Sequence, residues 1–170
     1  LGDWGGTATG SVGAALAFAK SKVGKPYQWG GVGPAGWDCS GFMSSIQRVI
    51  MGLSPYARMW ATGSFAGGST PAGWVPNLPA PFRVGITHAG VGHTAGTLMG
   101  VNVESSGGRG VHIGKGARGY NDPLFPSWYG FAPSMRQQHY DTGGWLQPGY
   151  TLAYNGLGTA EAVLTPGQLA

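Results

Sequence analysis

Residues 36–52, "GWDCSGFMSSIQRVIMG", hold the chain's one cysteine and its clearest helical signal. Phe42, Met43, Ile46, Val49 and Ile50 recur at i, i+1, i+4, i+7 and i+8, which is one face of an α-helix. Asp38 is a natural N-cap, so Cys39 falls at the first helical position, and Gly52 ends the helix. A helix start gathers free N–H groups and the positive end of the helix dipole. Such a place favours a thiolate and can also hold an oxyanion. Position alone leaves two readings of Cys39: an activated nucleophile, or a small buried hydrophobe, the commonest fate of a free cysteine.

Working outward, "KPYQWGGVGPAGW" (25–37) is too dense in Pro and Gly for a regular element and reads as an ordered loop. Before it, Ser11 can cap a first helix over "SVGAALAFAKSKVG", stopped at Gly24. Residues 1–10 read as a linker. They have neither the basic nor the apolar region of a signal peptide. Downstream, 53–81 reads as a long loop with a short helix near Tyr56–Thr62. From Phe82 the pattern turns to β: "FRVGITH", "GHTAGTLMG", "VNVESSG" and "GVHIG" are short strands separated by glycine turns, an antiparallel meander. Another short strand is expected near Trp128–Phe131. After the polar break "SMRQQH", residues 140–170 lack helical periodicity and read as an appended tail. The division is thus linker 1–10, one α+β domain over 11–139, and tail 140–170.

Composition narrows the function classes. Glycine supplies 34 of 170 residues and charged residues only 9%, which describes a loop-rich fold built on tight turns. The net charge of +4 comes from scattered bases. Lys20, Lys22 and Lys25 form the one cluster, too sparse for a nucleic-acid arm. The mild positive balance is compatible with an anionic polymer such as a cell wall. One cysteine excludes an intrachain disulfide and a multi-cysteine metal site. No apolar run approaches the ~20 residues of a membrane-spanning helix.

A nucleophilic cysteine needs a base, and an imidazole acting as base needs a partner to fix its tautomer. Four histidines are available: His88, His93, His112 and His139. Periodicity does not choose among them. His93 opens a strand candidate, where a side chain is held rigidly. Of the six acids, Asp3, Asp141 and Glu161 lie near the ends, Asp38 serves as the cap, and Asp122 sits in a loop. Glu104 stands on the strand after that of His93. With the turn at Met99–Gly100 the two side chains would face each other across the strand pair. The alternative for Glu104 is an exposed charge at a strand end. A metal site from His88, His93 and His112 matches no known ligand spacing.

Two stretches carry a resemblance. "GKPYQWGGVGPAGWDCSGF" resembles the N-terminal signature of NlpC/P60 cysteine peptidases, G-x-P-Y-x-W-G-G followed by D-C-S-G and an apolar residue. "GVGHTAGTLMG" resembles their second motif, in which G-H opens a strand leading to a glycine turn. The match covers about residues 12–115. The resemblance implies a papain-like core, with a cysteine-bearing helix packed on an antiparallel sheet that carries the histidine. It implies Cys39 as nucleophile and His93 as base. The third polar residue is usually His, Asn or Gln about a dozen positions later. Glu104 fits that position but not the usual type, and His112 is the reserve. Tyr27 matches the aromatic beside the cysteine. Asp38, Ser40 and Trp37 are candidate substrate contacts, and Trp29 another groove aromatic, with buried packing the competing role for both tryptophans.

The activity so implied is peptidoglycan hydrolysis by a D,L-endopeptidase, cutting stem peptides between D-glutamate and a diamino acid. No metal or cofactor is implied. Related folds use the same dyad as amidases or acyltransferases, and bond choice depends on groove shape. A second, narrower resemblance joins "HTAGTLMGVNVESSGGRGVHIGKGARGYND" and "YDTGGWLQPGYTLAYNGLGTAEAVLTPGQL" to the C-terminal part of tape measure proteins of actinobacterial tailed phages. It implies a virion-tail location with tail-tip proteins as partners, or a secreted, extracytoplasmic one for a prophage copy. The competing reading is a structural tail-tip module that binds wall or partner proteins without catalysis.

Overall fold

The computed structural model describes residues 11–132, together with two short strands at 137–139 and 152–154. Its architecture is α+β: two α-helices packed against a six-stranded antiparallel sheet.

Helix α1 spans Val12–Ser21. Ser11 caps it, its side chain accepting from the Ala14 N–H at 2.9 Å. Gly24, at φ +87°, turns the chain away two residues after the cap. Ala15 and Ala19 are fully buried, and their small side chains let α1 lie close along α2.

Helix α2 spans Cys39–Ile50 with Asp38 as N-cap. Its apolar face, Phe42, Met43, Ile46 and Ile50, faces the core. The opposite side is buried too, which the amphipathic pattern does not lead one to expect. Residues 55–60 wrap over it and satisfy its polar groups. Ser45 Oγ donates to the Pro55 carbonyl and accepts from Trp37 Nε1. Ser44 Oγ accepts from the Met59 N–H. Gln47 Oε1 accepts from the indoles of Trp60 and Trp74 at 2.6 and 3.0 Å. No helix forms at Tyr56–Thr62. Those residues are used as the wrap, and a 3₁₀ segment follows instead at Thr62–Gly68.

The strands are β1 Trp74–Pro76, β2 Phe82–Thr87, β3 His93–Leu98, β4 Val101–Ser106, β5 Gly110–Ile113 and β6 Ser127–Phe131. Strands β2 to β5 form the expected meander, and β6 pairs with the free side of β2 and carries β1 outside it. The order is therefore β1-β6-β2-β3-β4-β5. Phe82, Val84, Ile86, Leu98 and Val103 point into the layer between sheet and helices. Helix α2 crosses β3 and β4. It approaches so closely at Gly96 that a Cβ there would lie 2.9 Å from the sulfur of Met43. Trp60, Phe65, Trp74, Phe82 and Phe131 close one end of the core with ring contacts of 4.9–6.0 Å.

Strands β7 (Gln137–His139) and β8 (Leu152–Tyr154) pair in parallel as a separate two-stranded sheet. The linker at 1–10 and the remainder of the tail at 140–170 lie outside the described residues. Among the described residues no helix is long and apolar enough to cross a membrane.

Candidate active site

The start of α2 is fixed by one carboxylate. Asp38 Oδ1 accepts from the Gly41 N–H at 2.6 Å, and Asp38 Oδ2 from the Gly30 N–H at 3.0 Å. The cap therefore ties the glycine loop to the helix. Gly41 must be glycine, because a Cβ there would come within 2.0 Å of the Gly31 carbonyl oxygen. The Phe42 N–H bonds to the Asp38 carbonyl. The N–H groups of Cys39 and Ser40 have no partner among the described residues. Cys39 is a free thiol at this helix start, 8% exposed.

His93 opens β3 and interacts with the Cys39 thiol. On its other side, Nε2 lies 2.8 Å from Glu104 Oε1. A carboxylate only accepts, so Nε2 carries the proton and Nδ1 is the nitrogen left for the thiol. The contact with Glu104 is diagonal rather than directly cross-strand. The paired residues of β3 and β4 run from Leu98↔Val101 to Gly96↔Val103, a register that continues to Ala95 opposite Glu104. The long glutamate side chain spans the extra two residues.

Glu104 is 1% exposed and saturated. Oε1 accepts from His93 and from Arg118 Nη1, each at 2.8 Å. Oε2 accepts from the Arg118 N–H at 2.9 Å and lies 3.1 Å from His112 Nε2. His112, on β5 directly opposite Glu104, therefore contacts the carboxylate and not the His93 ring. Burial alone would raise the Glu104 carboxyl. The hydrogen bonds from His93 and Arg118, with the Arg118 charge, outweigh it and bring the group down to about 2. Burial likewise works to lower His93, but its bonds to Cys39 and Glu104 raise it to about 9.

A second cluster flanks the thiol. Arg58, eight residues beyond α2, donates from Nη2 to Asp38 Oδ2 at 2.7 Å and from Nη1 to Ser40 Oγ at 2.6 Å. Tyr27 lies within electrostatic reach of Cys39, Asp38 and Arg58. Burial first, then the Cys39 and Asp38 charges, raise its phenol, and Arg58 opposes them. Asp38 and Ser40 thus spend their side-chain bonds on the protein itself. Trp37 does not line a groove. It is 0% exposed, packed between Phe18 and Phe42 with its indole N–H on Ser45. Gly33 makes room for its ring, where a Cβ would come within 2.1 Å. Trp29 is the reverse case, 72% exposed on the loop beside Tyr27.

The structure thus brings Cys39, His93 and Glu104 into one chain of contacts, with Tyr27 alongside. His88 is exposed just after the end of β2. Among the described residues no group of three or more His, Cys, Asp and Glu is arranged to hold a metal ion. Arg58 and Arg118 carry no sequence signal of their own. A buried carboxylate calls for a cation, but nothing in spacing says which of ten supplies it. Chemically the arrangement fits a thiol that gives its proton to an oriented imidazole, next to two free N–H groups able to receive an oxyanion.

Comparison with known proteins gives three kinds of match. Protein P54 of Enterococcus faecium is 34% identical over 104 residues, 58% of this chain and 17% of P54. The probable endopeptidase p60 of Listeria grayi is 46% identical over 48 residues, 28% of this chain and 9% of p60. The chain therefore spans less than a fifth of the length of either relative. Among solved structures, the NlpC/p60 domain of the peptidoglycan hydrolase SagA is 25% identical, covering 61% of this chain and 88% of that one with a TM-score of 0.43. The family model of Endolysin A matches residues 8–136, most of the chain, and the chain belongs to that family.

Proposed function

We propose that this chain is a peptidoglycan hydrolase that works as a cysteine peptidase, with Cys39 as nucleophile, His93 as base and Glu104 as the group that orients His93. The carrying observation is the placement of His93 between the Cys39 thiol and the buried Glu104 carboxylate. Membership of the Endolysin A family and the similarity to a probable endopeptidase support the same reading.

In this mechanism the Cys39 proton passes to Nδ1 of His93, and Sγ attacks the carbonyl carbon of a stem-peptide amide. The oxygen takes up negative charge beside the Cys39 and Ser40 N–H groups, with the Tyr27 hydroxyl as a further donor. His93 then gives its proton to the amine nitrogen as the C–N bond breaks. The thioester left on Cys39 is hydrolysed by a water that His93 deprotonates, which releases the acid and restores the thiol. Glu104 keeps the proton on Nε2 throughout, so that Nδ1 is the working nitrogen.

The bond we assign is that between D-glutamate and the diamino acid, the D,L-endopeptidase specificity that the resemblance implies. The tape-measure-like sequence of the tail supports a place in a phage tail, opening the wall as the tail tip enters. A prophage-derived copy would act on the wall from outside the cytoplasm. The test is digestion of purified peptidoglycan with mass spectrometry of the fragments. Wild type is expected to release fragments ending in D-glutamate, with matching new amino termini on the diamino acid, and Cys39→Ala none. Equal products from both would overturn the enzyme reading and leave the non-catalytic tail module. Cysteine-dependent fragments cut at another bond would overturn the assigned specificity alone.

A further inference from the structure

The hydrogen bonds of Glu104 lead outside the three residues of the proposed mechanism, to a segment the sequence leaves as loop. Residues 117–125, "ARGYNDPLF", form a strap bonded to β3 and β4. The strap is tied on both sides of Arg118. The Ala117 carbonyl accepts from Asn102 Nδ2 at 3.2 Å, and the Tyr120 N–H donates to Thr97 Oγ1 at 3.2 Å. Thr97 and Asn102 are themselves bonded across β3 and β4 at 3.0 Å. At its far end the strap sets Phe125 against the imidazole of His93, stacked at 6.0 Å and 20°. Between these anchors Arg118 gives one bond to each oxygen of Glu104, guanidinium to Oε1 and backbone N–H to Oε2.

We propose that Arg118 is a positioning residue for His93: its guanidinium bonds to the same Glu104 oxygen that holds the imidazole, and so fixes that oxygen and its charge. The backbone N–H of residue 118 holds Oε2, and His112 lies 3.1 Å from that oxygen. What the Arg118 side chain adds is a charged bond on Oε1, the oxygen that His93 uses. The groups facing this carboxylate are His93 from β3, His112 from β5 and Arg118 from the strap. Those facing His93 are Cys39, Glu104 and Phe125. Arg118 hydrogen-bonds to Glu104 and to neither Cys39 nor His93. The proposal deepens the hydrolase reading and rests on it.

The test compares Arg118→Ala and Arg118→Lys with wild type in two assays. With a soluble stem-peptide fragment, Arg118→Ala is expected to lower kcat by roughly 10- to 100-fold, the usual scale when an outer partner of a working imidazole is lost, with KM unchanged. The acid limb of its pH–rate profile is expected to move up by about one pH unit, because Glu104 loses a neighbouring cation. Arg118→Lys is expected to recover part of both effects. A purely structural Arg118 would lower the melting temperature and leave kcat and the profile alone. A raised KM with unchanged kcat would make it a substrate contact. Either result overturns the proposal. The second assay is alkylation of Cys39 by iodoacetamide at pH 6.5, which needs no substrate and so stands apart from the hydrolase reading. Slower alkylation in Arg118→Ala supports the positioning role even if no peptidoglycan is cut, and equal rates overturn it.

Discussion

His93 sits between two groups that both favour its protonated form, Cys39 and Glu104. In the proposed mechanism Cys39 supplies the reacting thiol, and Glu104 supplies a full negative charge where an amide or a second imidazole would supply a dipole. Glu104→Gln keeps an oxygen that can accept from Nε2 but removes that charge. It is expected to lower kcat on a stem-peptide substrate by roughly 10²-fold, within the range of general-base contributions. Steady-state kinetics with the variant check this, and an unchanged kcat would remove Glu104 from the mechanism. At this scale the sequence was informative where spacing carries geometry. A cap followed by a cysteine placed the thiol, and eleven residues around a glycine turn brought His93 within reach of Glu104. Arg118 and Arg58 were not legible, since each meets its carboxylate through a loop with no period to read. Trp37 and Trp29, open to groove lining or buried packing alike on sequence, part ways for a related reason: Trp37 is buried and Trp29 exposed. An aromatic in a glycine loop packs or protrudes according to which glycines leave it room, and Gly33 makes that room for Trp37.

Helix α2 is the element on which the rest is hung. Its apolar face was plain from the 3.6-residue period, and its boundaries followed from Asp38 and Gly52. Its burial on the polar side was not, because the wrap over Ser44, Ser45 and Gln47 comes from residues 55–60 and Trp74, which show no pattern of their own. The same blindness put a short helix at Tyr56–Thr62, six residues too early. Gln47 marks the consequence. It is 2% exposed and receives two indole N–H groups. Gln47→Leu would fill the space but leave both donors unpaired, at a cost of about 1–3 kcal/mol each. Urea unfolding is expected to show a lower midpoint with an unchanged slope. A midpoint within error of wild type would mean that the indoles find other partners.

For the molecule as a whole, the meander β2–β5 was readable because its strands are neighbours in sequence. Strand β6 was foreseen as a strand, but its pairing with β2 was not, since it joins residues more than forty apart. Strand β1, three residues ending in a proline, carries too little pattern to be seen. The shared carboxylate makes global stability depend on pH at both ends. Glu104 is lowered from 4.5 to about 2, so its contribution is present above pH 4.5 and fades as pH falls toward 2. His93 is raised from 6.5 to about 9, so its contribution is complete below pH 6.5 and fades as pH rises through 9. Denaturant midpoints are expected to peak between pH 4.5 and 6.5, and His93→Ala is expected to flatten the alkaline side. A wild-type curve still rising from pH 7 to 9 would contradict the arrangement. Activation of the Cys39 thiol by His93, as proposed, is read from the rate of iodoacetamide alkylation at pH 6.5 in wild type and in folded His93→Ala. Wild type is expected to react at least about tenfold faster, as when a neighbouring imidazole takes the thiol's proton. Equal rates in the two proteins would contradict it.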